Sequence, residues 1–181
     1  MLIGIPGIQL KVLHLIRDVR SWTVSRQDNS KRKADFYLGD LVRGYGWKAG
    51  GQYAKRRPVY RFRQWYLGNR RVQDLLEREK IPSFQLGYEE LCLHPNLLVR
   101  NICEFLDVKP VDSMLSLPDS GSHVALGNRM RSQKEKRQRI FYDNRWFYRN
   151  DWLLPAVLLP RIMRYNTAEV YRNIRGVLWS R

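Results

Sequence analysis

Leu10-Lys-Val-Leu-His-Leu-Ile16, followed at once by Arg17-Asp-Val-Arg-Ser21, decides the fold. The first stretch is short and nearly continuously apolar, the pattern of a strand buried in a parallel sheet. It stops at Arg17, after which Asp18 and Ser21 each offer the side-chain oxygen that starts a helix. The unit reads strand, short turn, helix. Beyond it, residues 26–58 become polar, basic and rich in Gly and Tyr, as in Tyr45-Gly-Trp-Lys-Ala-Gly-Gly-Gln-Tyr53, and read as an irregular excursion. From Tyr60 to about Glu79, Phe62, Trp65, Tyr66, Val72, Leu75 and Leu76 return at helical spacing. Pro82 marks a break, and Ser83-Phe-Gln-Leu-Gly-Tyr88 reads as a second strand. Pro95 stands where the first turn of a helix tolerates proline. The helix after it carries Leu98, Ile102, Cys103, Phe105 and Leu106. Strand, helix, strand, helix predicts an α/β domain with a parallel sheet, one domain over residues 1–181 with a helical tail over 152–181.

Composition narrows the function classes. With 181 residues, 44% hydrophobic and 12% aromatic, the chain is long and apolar enough to build a core. Cys92 and Cys103 make no secreted disulfide framework, and two cysteines with three scattered histidines predict no metal site. A reducing compartment, the cytoplasm, is expected. No apolar run reaches the ~18 residues of a membrane span. The opening Met1-Leu-Ile-Gly-Ile-Pro-Gly-Ile8 is apolar but lacks the basic start of a signal peptide. Thirty-three Lys and Arg against 17 Asp and Glu give a net charge of +16, a field that attracts polyanions. Nucleic acid, an anionic membrane and an anionic cosubstrate all satisfy that field.

Position discriminates better than total charge. Open α/β sheets bind ligands beyond the carboxyl ends of their strands, where helix N-termini offer N–H groups to anions. Arg17 stands at such an end, and Ser25 follows eight residues later in the next helix. A guanidinium fork and a hydroxyl aimed at one point suit a phosphate monoester. The alternative is an Arg17 that pairs with a nearby carboxylate, and a Ser25 that is a cap or an exposed polar residue.

The full string His14-Leu-Ile-Arg-Asp-Val-Arg-Ser-Trp-Thr-Val-Ser25 resembles the 3′-phosphate-binding motif of sulfotransferases that use 3′-phosphoadenosine 5′-phosphosulfate (PAPS). That motif is a strand ending in Leu-Val-Arg-Asp-Pro-Arg, with a Ser eight residues after its first Arg; Val19 stands here for the usual Pro. The resemblance implies that Arg17 and Ser25 hold the cofactor's 3′-phosphate. Tyr88-Glu-Glu-Leu91, Pro95 and Ile102-Cys-Glu-Phe-Leu106 look like the family's Tyr-Glu-Asp-Leu … Pro … Ile-x-x-Phe-Leu-Gly block. Glu90 replaces its Asp and Asp107 its Gly. Tyr88 is thereby implied as a contact to the cofactor, the alternative being a core tyrosine at a strand end. A third stretch, Ser122-His-Val-Ala-Leu-Gly-Asn-Arg-Met-Arg131 with Asp143 and Trp146 after it, is similar to a Gly-Asn-x-x-Arg segment of bacterial members. It implies that Gly127, Asn128 and Arg131 lie near the nucleotide. The resemblance runs from about Lys11 to Trp146 and implies a P-loop-like three-layer sandwich that transfers a sulfuryl group to a hydroxyl or amine acceptor, with no metal.

One part of the family pattern has no counterpart in these 181 residues. Family members open with a strand and a Gly/Ser/Thr-rich loop whose N–H groups and a cation cradle the 5′-phosphosulfate, followed by a catalytic His or Glu. Gly4-Ile-Pro-Gly7 is no substitute, because Pro6 lacks an N–H and no hydroxyl or cation follows at once. The chain therefore reads as the C-terminal two-thirds of such a domain, inactive alone. His14 reads as a core histidine, His94 as a surface or capping residue, and His123 as the only one near the ligand. No catalytic residue is assigned.

The remaining basic residues carry a competing reading. Lys31-Arg-Lys33 and Lys55-Arg-Arg57 flank the excursion, and residues 129–139 hold six cations against Glu135 alone. With Trp47, Tyr53, Tyr60 and Trp65 among them, they would also suit a nucleic-acid-binding module without catalysis. No RNA-recognition, zinc-finger or helix-turn-helix pattern appears, so the anionic cosubstrate is preferred as partner. The tail from Trp152 reads either as a helix packed on the sheet or as a basic amphipathic segment contacting a membrane surface.

Overall fold

A computed structural model describes residues 9–28, 58–115 and 142–175 of the chain. Strand β1 (Val12–Ile16) leads into a helix, α1, over residues 19–28. The long helix α2 (Pro58–Arg78) returns the chain to β2 (Ser83–Gly87). Two helices follow, α3 (Tyr88–Leu93) and α4 (Pro95–Leu106), then single 3₁₀ turns at Asp112–Leu115 and Arg145–Tyr148. Helices α5 (Leu153–Leu158) and α6 (Pro160–Val170) complete the described elements. β1 and β2 pair in parallel, Val12 opposite Ser83 through Ile16 opposite Gly87. Parallel pairing needs a crossover between the strands, and α1 and α2 lie in that connection. The architecture is α/β with a small two-stranded parallel sheet.

By their contacts the residues group into two compact units: Met1–Ile16 with Leu76–Tyr142 and Glu169–Arg181, and Arg17–Leu75 with Asp143–Ala168. The first holds the sheet. Its core joins Leu86, Leu98 and Ile174, with Phe84, Leu91, Leu97, Ile102 and Tyr171 packed around them. Gly87, at the end of β2, is required by a close approach. A Cβ there would lie 1.8 Å from the Val170 carbonyl oxygen, although its φ of −84° suits any residue.

Glu90 fastens this unit. Wholly buried, its carboxylate accepts from the Gly87 N–H (3.0 Å), the Asn173 N–H (2.6 Å), Asn173 Nδ2 (2.8 Å) and the Ile174 N–H (3.2 Å). Burying a carboxylate is costly unless its lone pairs are satisfied, and four donors satisfy it. Gln85 Nε2 donates to the carbonyl and carboxylate of Glu169, so the end of the tail is tied to β2. Helix α4 begins with Pro95 at its first turn and ends at Asp107, which adopts the left-handed conformation at φ 58°. Lys11 donates to the Phe105 carbonyl and forms an ion pair with Asp107.

In the second unit Val19, Val24, Phe62, Trp65, Trp146 and Ile162 are buried. The expected apolar stripe of α2 is covered at Phe62, Trp65 and Leu76. Val72 and Leu75 are exposed, contrary to the uniform core face that the helical spacing predicts. Within the tail expected over 152–181, Leu153–Leu158 and Pro160–Val170 are helical.

Candidate functional site

The turn from β1 into α1 concentrates the polar chemistry of the second unit. Asp18 caps the helix. Its Oδ1 accepts from the Arg20 N–H at 2.8 Å, while Trp22 N–H bonds the Asp18 carbonyl at 2.8 Å to close the first turn. Asp18 is completely buried and is matched by Arg20, whose Nε and Nη2 reach Oδ1 and Oδ2 at 2.9 and 2.6 Å. Burial would raise the Asp18 pKa; the Arg20 hydrogen bonds and charge, with a bond from Asn166, outweigh it and hold the carboxyl below its usual value. The Arg20 guanidinium lies over the Trp146 ring, 4.0 Å from its centroid, and 5.6 Å from that of Trp152.

Asn166 completes the clasp. Its Oδ1 accepts from the Val19 N–H at 2.8 Å and its Nδ2 donates to Asp18 Oδ2 at 2.9 Å. The Val19 and Arg20 N–H groups are therefore both taken by the chain's own side chains. This corrects one expectation: the start of α1 does not offer those two N–H groups to an incoming anion, because Asp18 and Asn166 already neutralise them.

Side chains supply the rest of the turn's polar chemistry. Arg17 follows β1, its carbonyl held by Trp65 Nε1 at 2.9 Å. Its Nε donates to Ser21 Oγ at 2.9 Å and its Nη2 to Asp143 Oδ2 at 2.6 Å, 126 residues further on. Ser21 was a rival candidate for the cap; it instead lies inside the helix as a partner of Arg17. Ser25 lies one turn beyond Ser21 on the same helix face and is half-buried. Arg17 and Ser21 are hydrogen-bonded and Ser25 follows by one helical turn, a short polar strip along α1.

Asp143 is the centre of an ion-pair network. Arg145 grips it through Nε (2.8 Å) and Nη2 (2.7 Å) and extends Nη1 to Asp28 (3.0 Å), which also receives Arg149 Nη1 at 3.1 Å. Arg149 also pairs with Asp151. Burial would raise the Asp143 pKa, but the hydrogen bonds and charges of Arg145 and Arg17 prevail and bring it to about 2. The same bond to Asp143 is the main influence raising the Arg145 pKa.

The other candidate residues fall as follows. Tyr88 does not end the second strand but opens α3, β2 having finished at Gly87; it is half-buried in the first unit. His14 pairs in register with Gln85, and His94 stands at the junction of α3 and α4 without a side-chain capping bond. Gly127, Asn128, Arg131 and His123 lie outside the described residues, as do the basic runs at 31–33, 55–57 and 129–139. Among the described residues no group of His, Cys, Asp or Glu is arranged to hold a metal ion, and no helix is long and apolar enough to cross a membrane. Sequence reasoning passed over Asn166 and Ser21's bond to Arg17. The first carries no local signal, whereas the second follows from the i, i+4 spacing of residues 17 and 21.

Comparison of the chain with protein-family models, with curated proteins and with solved structures finds no match.

Proposed function

We propose that this chain is a sulfotransferase-like protein that grips the 3′-phosphate of PAPS, on a P-loop-like three-layer scaffold, for sulfuryl transfer to a hydroxyl or amine. The observation that carries the reading is the Arg17 strip. A guanidinium at the carboxyl side of β1 donates to the Ser21 hydroxyl and pairs with Asp143, and Ser25 follows Ser21 by one turn along the next helix. That donor set fits a phosphate monoester, offering charge-assisted bonds plus neutral donors. Two further features support it. Asp143 and Trp146, which follow the third resembling stretch, are folded onto Arg17 and Arg20 of the first. Asp107, which stands for the Gly of the second block, adopts the left-handed backbone that favours glycine.

In such a transfer the acceptor oxygen or nitrogen bonds to sulfur, the bond from sulfur to the bridging oxygen of the phosphosulfate breaks, and the acceptor's proton passes to a base. The Arg17 strip would hold the end of the nucleotide remote from that chemistry. Its role is to orient the donor, spending remote binding energy on alignment. No residue described is assigned the base.

Calorimetry with adenosine 3′,5′-bisphosphate and AMP tests the reading. The bisphosphate should bind more tightly. Arg17→Ala removes hydrogen bonds to a charged group worth roughly 1.5–3 kcal/mol each, so the preference should fall at least about tenfold. Ser25→Ala should reduce it less. Equal affinity for the two nucleotides defeats the assignment, and tight, salt-sensitive polynucleotide binding with indifference to the bisphosphate would favour a nucleic-acid-binding module.

A further inference from the structure

Helix α5 turns its apolar side chains outward. Leu154, Val157 and Leu158, spaced i, i+3, i+4 on one face, are 63%, 76% and 58% exposed, while Pro155 on the opposite side is buried. Beside them runs an open apolar groove of about 460 Å³ between α2 and the α5–α6 junction, lined by Tyr66, Leu67 and Leu158–Ile162. Its polar members are two arginines, Arg63 and Arg161, both exposed. Neither takes part in an ion pair among the described residues, whereas Arg17, Arg20, Arg145 and Arg149 all do.

A clustered apolar face of this kind marks a surface that something covers. Charge selects the occupant. A second copy of this chain packed face to face about a two-fold axis would bring the two arginine rims towards each other, in a protein that already carries +16. A polynucleotide would answer the arginines but leave Leu154, Val157 and Leu158 in water, since α5 carries no aromatic ring and Tyr66 of the groove is half-buried and packed edge-on against Tyr165. An anionic bilayer answers both at once: acyl chains accept the apolar ridge while lipid phosphates meet the guanidinium groups at its edge. We propose that the α5 ridge and its groove form a peripheral docking surface for anionic membranes, with Leu154, Val157 and Leu158 entering the interface and Arg63 and Arg161 pairing with phosphate headgroups. The surface is separate from the Arg17 strip and does not depend on the sulfotransferase reading.

The test is co-sedimentation of the full chain with vesicles of phosphatidylcholine alone and of phosphatidylcholine mixed with phosphatidylglycerol. The chain should partition onto the mixed vesicles and only weakly onto the neutral ones. Val157→Ser with Leu158→Ser should lower the partition constant at least about tenfold, since each side chain loses most of its transfer from water. Arg63→Ala and Arg161→Ala should each lower it about fivefold on anionic vesicles and leave the neutral ones unchanged. All four sites are exposed, so thermal melts should match the parent, and the arginine variants keep the test valid should the double serine variant misfold. Equal partition onto both vesicles, or onto neither, overturns the proposal. So does anionic binding that the serine variant leaves intact, which would be capture by charge alone. Pelleting without lipid that the serine variant abolishes would overturn it in favour of a second copy of the chain.

Discussion

Replacing Asp143 with Asn should destabilise the protein at neutral pH and do so progressively less as the pH falls. The carboxylate accepts from Arg17 at 2.6 Å and from Arg145 at 2.8 and 2.7 Å, and its pKa stands at about 2 against an ordinary 3.8. A depression of that size corresponds to roughly 2.4 kcal/mol at about 1.36 kcal/mol per pH unit. Arg145 is half exposed, so solvent screening reduces the net contribution to about 1–1.5 kcal/mol. Arg17 is only a quarter exposed and loses its carboxylate partner in the variant, which adds to the cost. The folded-state pKa lies below the unfolded one, so the contribution is complete above about pH 4 and is lost as the pH falls through about 2. Urea unfolding of parent and Asp143→Asn in steps from pH 7 to pH 2 measures it. The stability difference should be roughly 1–2 kcal/mol at pH 7, unchanged down to about pH 4.5, and largely gone by pH 2. A difference that stays constant to pH 2, or no difference at pH 7, refutes the role given to this carboxylate.

Two further substitutions test the clasps around the site. Arg20→Ala leaves the wholly buried Asp18 without its bidentate partner and strips Trp146 of its cation, so thermal or chemical unfolding should show a loss of about 3 kcal/mol or more. Arg20→Lys should recover only part of this, because an ammonium cannot reproduce the fork. Gly87→Ala drives a methyl to 1.8 Å from the Val170 oxygen and should cost at least about 3 kcal/mol, the upper end of overpacking. A near-neutral result would mean that the carbonyl can withdraw, which a shift in the hydrogen exchange of residues 170–174 would reveal.

The parts of the fold legible in the sequence are those governed by local pattern. The apolar run ending at Ile16 is β1, Pro82 precedes β2, and Pro95 opens α4. Asp18 and Ser21 were equal candidates for the cap because both carry a side-chain oxygen. What separates them is long-range: Asn166, 148 residues from Asp18, completes the cap from the far end of the chain. Arg17 shows the same limit. Its place at the strand end follows from the pattern, but its partner Asp143 lies 126 residues further on, where no local spacing points. Val72 and Leu75 share the helical spacing of Phe62 and Trp65, yet they face water. Spacing defines a face of a helix, but only the neighbouring elements decide how much of that face is buried.

The same distinction applies to charge. A net +16 looks like a single property, but the described arginines divide by what surrounds them. Arg17, Arg20 and Arg145 are set against Asp143 and Asp18, buried or half-buried carboxylates that hold them in place, so much of their field is spent within the protein. Within the fold they fix the β1–α1 turn and the chain around Trp146. Arg63 and Arg161 face outward beside apolar side chains, and their field extends into solvent until ions screen it over about 8 Å at physiological salt. Salt should therefore separate the two groups. Raising it leaves the Asp18–Arg20 clasp almost untouched, because that pair is shielded from solvent, while it weakens any association that depends on the α5 rim. The described arginines thus form two populations, one held against carboxylates of the fold and one facing solvent, and salt acts mainly on the second.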